Sequence, residues 1–188
     1  MLQVAARLYV LYVLALFLGL RRGELLGLRW VDVDLDGEKL EVVQALQRVG
    51  GKLRFVKPKT EDSERTVPLP QFCVAALREH KKRQFAERSD AWPDWDDHGL
   101  DFPSRRGTPM EPDNLRRSWS TIRDEAGLGE TRLHDLRHTC VTLLQIAGVA
   151  SDASFPEKGD YDAVRDAALD LAAAHAGRQR EAPGQSAV

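Results

Sequence analysis

The chain has 188 residues, 43% apolar and 30% charged, which is enough for one well-formed core and typical of a soluble globular protein. A net charge of −2 excludes a global basic signature of nucleic-acid binding, so any such surface must be a local patch. Cys73 and Cys140 stand far apart and outside any Cys-x-x-Cys pattern, which argues against a disulfide framework or a zinc site and points to a reducing cytoplasm.

The first element is a helix from about Gln3 to Leu18. Its apolar run, Leu8 to Leu20, lies between Arg7 and Arg21 and is shorter than the roughly 20 residues of a membrane span. It also lacks the small-residue cleavage pattern of a signal peptide, so it reads as a buried helix, with Tyr9 and Tyr12 in the core. Gly19-Leu20-Arg21-Arg22-Gly23-Glu24 breaks it, and Leu25, Leu26, Leu28 and Trp30 resume a short amphipathic helix. Arg21, at the junction, needs an anionic partner because a guanidinium cannot shed its charge. Glu24 or a ligand phosphate can supply one.

Asp32 to Gly37 reads as a turn into strands. Lys39 to Gln44 and Lys52 to Lys57 flank Gly50-Gly51, a hairpin signal, and Arg65 to Leu69 makes a third short strand after a polar turn that begins at Lys59. A helix from Gln71 to about Arg88 is expected to turn Phe72, Ala75, Ala76 and Leu77 inward and Arg78, His80, Lys81, Lys82 and Arg83 outward. Residues 90–110 read as a loop with a short strand at Leu100 to Phe102. A further helix follows Asp113-Asn114 and stops at Gly127, with Leu115, Trp119 and Ile122 inward and Arg116, Arg117 and Arg123 outward. The last helix of the main body spans Leu133 to Val149; it places His134 and Arg137 three residues apart on one face, a spacing that lets an imidazole and a guanidinium reach one anion. Beyond Ala150 the chain turns polar, then Ala-rich and acidic from Ala163 to Ala176, and its end has the composition of a disordered segment. Residues 151–188 carry four Lys/Arg against seven Asp/Glu, so the preceding body is close to neutral.

Three separated motifs stand in order: Gly19 to Glu24 around Arg21, Lys59 before a strand ending Val67-Pro68-Leu69, and His134-Asp135-Leu136-Arg137-His138-Thr139. Together they resemble the catalytic domain of the tyrosine recombinases, the phage-integrase family. The resemblance implies an α+β fold, mainly helical with a small three-stranded antiparallel sheet, spanning residues 1–150, with 151–188 as a divergent acidic tail. It implies double-stranded DNA as partner, a homotetramer on two sites, and strand cleavage and rejoining without metal or nucleotide cofactor. The residue types suit such chemistry. Arg21 and Arg137 would hold the nonbridging phosphate oxygens and offset the charge of the five-coordinate transition state. Lys59 would protonate the leaving 5′-oxygen, and His134 would assist in positioning and proton transfer.

The end of the chain departs from the family pattern. Lys158-Gly159-Asp160 falls where a Leu-Gly-His/Trp segment is expected, and Leu169 falls near the place of the nucleophilic tyrosine. Tyr161 is the tyrosine in this region, about eight residues early, so it is either the nucleophile or an ordinary surface aromatic. The front is shorter than the family pattern, which normally places a core-binding domain before the catalytic one. Three readings follow: a recombinase catalytic domain, a remnant that binds recombination sites without cutting, and an unrelated helical domain with chance arginine motifs.

Overall fold

The computed structural model describes residues 2–57 and 64–146, with side chains from Arg7 onward. Helix α1 (Leu2–Phe17) is its hub. Leu8, Val10, Leu11, Val13, Leu14 and Ala15 are all buried, which fills more than one side of the helix, and α1 packs against four other helices. A helix apolar nearly all round belongs inside a fold, as the sequence implied. Among the described residues no helix is long and apolar enough to cross a membrane. Tyr12 fulfils its core expectation by donating to Ser118 Oγ (2.9 Å) and packing on Trp119. Tyr9 does not, for it points away from the helices and is 58% exposed.

Helix α2 (Arg22–Gly27) begins three residues before the expected Leu25, because Arg21 takes an extended conformation and acts as its N-cap. A 3-10 turn (Trp30–Asp32) leads to β1 (Val33–Asp34), β2 (Lys39–Val42), β3 (Ala45–Val49), β4 (Lys52–Val56) and β5 (Arg65–Pro68). A three-stranded antiparallel sheet is present, in the order β1-β2-β5, but its membership differs from expectation. The segment around Lys52 pairs with Ala45–Val49 instead of Lys39–Val42, as a separate two-stranded hairpin. Gly50 and Gly51 occupy the two-residue turn at φ +57° and +77°, conformations that fix the register to the strand ending just before them.

The longest helix, α3 (Gln71–Asp90), buries Cys73, Val74 and Leu77. Ala75 is exposed, and His80, expected on the outer basic face, is only 5% exposed. Its Nε2 lies 2.7 Å from the Asp101 carbonyl oxygen and its ring stacks on Phe102. Burial keeps its imidazole below the ordinary range, so it is neutral and apolar enough for this place. Leu100 contributes a single bridge to Arg29 where a short strand was expected. Helix α4 (Pro112–Glu125) starts on a proline, whose missing N–H costs nothing at a first helical turn, and buries Leu115, Ser118 and Trp119. Helix α5 (Asp135–Ile146) lies along α1 and buries Cys140 and Leu143.

Asp101 is fully buried, and neither carboxylate oxygen has a hydrogen-bond partner. Burial, together with the nearby Asp32 charge, raises its pKa well above the carboxylate range, against the pull of Lys81. A raised folded-state pKa means that the folded protein favours the neutral acid, so stability is lost as pH rises from the ordinary carboxylate range toward the folded value. Asp101→Asn is therefore expected to raise the melting temperature at pH about 8 more than at pH about 4, each kcal/mol gained appearing as about 2–4 °C. Thermal melts of both proteins across that range check it, and equal shifts at both ends would contradict it.

Candidate active site

The site is built where α1 ends. Buried Leu18 and Leu20 hold the chain on either side of Gly19, which turns at φ +59°. A Cβ there would sit at ordinary contact distance from Cys140 Sγ (3.4 Å) and the Arg137 side chain (3.7 Å), so it is the left-handed turn that calls for glycine. Arg21 follows with its side chain 58% exposed.

Beneath Arg21 lies Glu24, 8% exposed. Its Oε2 accepts the backbone N–H of Arg21 (2.8 Å) and Nη2 of Arg65 (2.8 Å), while its Oε1 accepts Nη1 of Arg21 (3.0 Å) and Nη1 of Arg65 (3.1 Å). The first of these bonds caps α2 from its N3 position. Burial pushes the Glu24 carboxyl upward, but the hydrogen bonds and charge of Arg65, with the bonds from Arg21, outweigh it and hold the pKa below the ordinary value.

Arg137 reaches the same place from the first turn of α5, and its Nη1 donates to the Gly19 carbonyl, two residues before Arg21. Burial, then the Arg21 cation, draws the Arg137 pKa downward; Glu24 opposes this and Arg65 adds to it. A guanidinium remains charged through such a shift. Cys140 lies next to this turn, its Sγ donating to the Phe17 carbonyl at 3.2 Å. Burial pushes its thiol up to about 11 despite Arg137, so it packs as a neutral group. Three guanidinium groups around one carboxylate leave a local surplus of positive charge, and the positive end of the α5 dipole lies beside it. This arrangement suits a phosphate-sized anion.

The expected pair Arg21 and Arg137 is thus brought together. His134 lies in the turn that immediately precedes α5, one residue before the helix on which it was expected. Its carbonyl accepts the Arg137 N–H at 3.1 Å, and its exposed ring stands edge-on to His138, centroids 5.0 Å apart. The turn is fixed by Asp135, whose Oδ2 accepts the Arg132 N–H at 2.7 Å. Lys59 and Tyr161 lie outside the described residues, as does the whole tail from 151 to 188.

Arg65 is the participant that sequence reasoning missed. Alternation in β5 carried the signal: Arg65 shares a face with buried Val67, and opposite them stand buried Val42 and Leu40. An arginine at an inward register position requires an anionic partner. Elsewhere on the surface Arg116 and Arg117 are exposed on α4, and Arg48, Lys52 and Arg54 on the β3–β4 hairpin. Arg48 pairs with Glu111 at the start of α4, which ties the two basic elements together. Arg123, expected on the same outer face, is half-buried against Asp124 and Glu130.

A helix-rich domain with a small antiparallel sheet and an arginine clamp at the junction of α1, α2 and α5 defines the class of the tyrosine-recombinase catalytic fold. Solved structures share it: the integrase of transposon Tn1549 bound to transposon right-end DNA superposes with a TM-score of 0.62 at 21% identity, covering 90% of this chain and 60% of that one. The XerA recombinase gives a TM-score of 0.56 at 21% identity, covering 90% and 57%. The chain belongs to the phage integrase family, whose model matches residues 3–153. Similar relatives include a XerC-like tyrosine recombinase of Caldanaerobacter subterraneus subsp. tengcongensis, 34% identical over 76% of this chain and 40% of that protein. An integrase of Saccharopolyspora erythraea is 30% identical over 74% of this chain and 44% of that protein. The chain therefore spans less than half the length of these curated relatives.

Glu24→Ala would leave Arg65, whose side chain is 13% exposed, without its carboxylate. A loss of about 3–5 kcal/mol is expected, because removing one partner of a buried ion pair takes away the charge that offset the other's desolvation. The pH dependence has the opposite sign to that of Asp101. A lowered folded-state pKa contributes stability that is complete above the ordinary carboxylate range and lost as pH falls through the folded value. Denaturant titrations of the native chain and of Glu24→Gln from pH about 7 to about 3 should show the native chain losing stability more steeply on the acid side. Parallel curves would refute the assignment.

Proposed function

We propose that this chain serves site-specific DNA recombination, cutting and rejoining duplex DNA through a phosphotyrosyl intermediate. In this reading residues 1–150 form the catalytic domain, 151–188 form a tail, and the protein acts in the cytoplasm as a homotetramer on two DNA sites. The observation that carries the reading is the clamp: Arg21 and Arg137 come from separate elements and are tied to one turn, around a carboxylate too outnumbered to neutralise them.

The chemistry follows from the residue types. Arg21 and Arg137 donate to the nonbridging oxygens of a backbone phosphate and offset the charge gained when a tyrosine oxygen attacks phosphorus. The tyrosine oxygen forms a bond to phosphorus as the 5′-oxygen leaves with a proton from Lys59, and His134 assists the proton transfer. Tyr161 is the tyrosine assigned to attack. The covalent link conserves the phosphoester energy, so the released 5′-hydroxyl of a partner strand reverses the step without a nucleotide. Exposed arginines of α4 and the hairpin supply the backbone contacts that seat the duplex.

A second reading, a DNA-binding remnant that does not cut, is favoured by one sequence observation: Asp160 and Leu169 stand where the family pattern places a His or Trp and the nucleophile. The test that separates the two uses a nicked suicide duplex carrying an attachment site drawn from the flanking sequence of the element. Denaturing electrophoresis and peptide mapping are expected to give a covalent adduct on Tyr161. Arg21→Ala and Arg137→Ala are each expected to weaken duplex binding by about tenfold or more and to reduce the salt slope by about 1. No adduct alongside clamp-dependent binding selects the remnant. Binding that ignores both arginines overturns both readings.

A further inference from the structure

We propose that Arg65 is a positioning residue for the phosphate clamp, acting through Glu24 to set the orientation of Arg21. The inference rests on the clamp reading above and deepens it. Glu24 has two oxygens, each taking two N–H groups, one from Arg21 and one from Arg65 on each oxygen. The two arginines are not equivalent. Arg65 is 13% exposed and grips both oxygens with its two terminal nitrogens, a planar fork on a planar carboxylate. Arg21 is 58% exposed and gives Glu24 only one side-chain nitrogen, Nη1 at 3.0 Å. The bond from its Nη1 to Oε1 holds the base of the guanidinium on the protein while most of the group faces solvent.

The division of labour follows from rigidity. Glu24 lies on a six-residue helix, too short to be stiff on its own, and its carboxylate has two rotatable bonds beyond Cβ. Arg65 lies on β5, paired along its whole length with β2, whose Leu40 and Val42 are in the core. The sheet thus anchors the fork, the fork orients the carboxylate, and the carboxylate orients Arg21. Arg137 is oriented independently, by the Gly19 carbonyl. A clamp arginine left without such a tether would still attract DNA, but it would lose geometric selection among its rotamers before each phosphate contact.

A double-mutant cycle on the full chain tests this, with a nicked duplex bearing the attachment site as probe and binding and its salt slope as readouts. In the native background Arg21→Ala is expected to weaken binding by about tenfold. In an Arg65→Gln background the same change is expected to cost less than about threefold, and the salt slope should no longer change with Arg21, since neighbours in one network are non-additive. Because Arg65→Gln exposes a buried carboxylate to loss of its partner and is capable of unfolding the chain, Arg65→Lys and the charge-balanced pair Glu24→Gln with Arg65→Gln are measured beside it. Lysine keeps the charge without the fork, so it is expected to restore stability more fully than the effect of Arg21. Arg137→Ala should retain its full penalty in every Arg65 background that melts cooperatively.

If the Arg21 and Arg65 penalties multiply in the folded variants, Arg65 is a structural residue and the proposal is overturned while the clamp stands. If Arg21→Ala and Arg137→Ala are silent in the native background, the clamp itself is wrong and the proposal falls with it.

Discussion

Arg21 and Arg65 are held at the site by one buried carboxylate. Glu24 is placed where an ionised group is costly, and it is tolerated only because four N–H groups converge on its two oxygens. Those donors come from the start of α2 and from β5, so satisfying a single anion ties a helix start to a sheet. Replacing the pair with apolar side chains of similar volume would be no less stable in general. What the ionic version supplies is orientation: a carboxylate with fixed acceptor directions dictates where Arg21 begins.

The second arginine depends on packing rather than charge. Arg137 finds its acceptor in the Gly19 carbonyl, and that carbonyl is available because α1 stops two residues earlier and the chain turns through a left-handed residue. A Cβ at Gly19 would find ordinary contact distances to Cys140 and Arg137, so what glycine supplies here is the left-handed turn itself. Hydrophobic burial along α1 bears on the site at one remove. It holds the two helices at the separation that lets the guanidinium reach the turn.

Much of this was legible in the sequence, and the failures have physical causes. The helices were visible because amphipathic periodicity survives over several turns, and the arginine motifs because their neighbours Gly19, Leu20 and Leu136 define local structure. Register was not visible in the same way. Lys39–Val42 and Ala45–Val49 both alternate, and which of them meets Lys52–Val56 is decided by the two-residue turn and not by composition. His80 was assigned to the basic face because the run Arg78 to Arg83 surrounds it, yet its imidazole is neutral in the core and accepts stacking on Phe102. His134 was read into the helix because a spacing of three says nothing about where the helix begins, and Asp135 turns out to set that boundary. Arg65 was overlooked as chemistry because a lone arginine in a short strand looks solvated until the alternation with Val67 is followed through.

In the proposed reading, binding and cleavage place different demands on this architecture. Among the described residues Gly19, Arg21, Glu24, Arg65 and Arg137 form a connected set, each hydrogen-bonded to another member. In the proposed reading a phosphate would gain its contacts from guanidinium groups already oriented on the protein side, whatever supplies the nucleophile. A nucleophile has the opposite requirement, since it must be delivered in line with the bond to be broken and within a few tenths of an ångström of it. In the proposed reading the clamp therefore depends on the sheet, which holds Arg65 and through it Glu24 and Arg21.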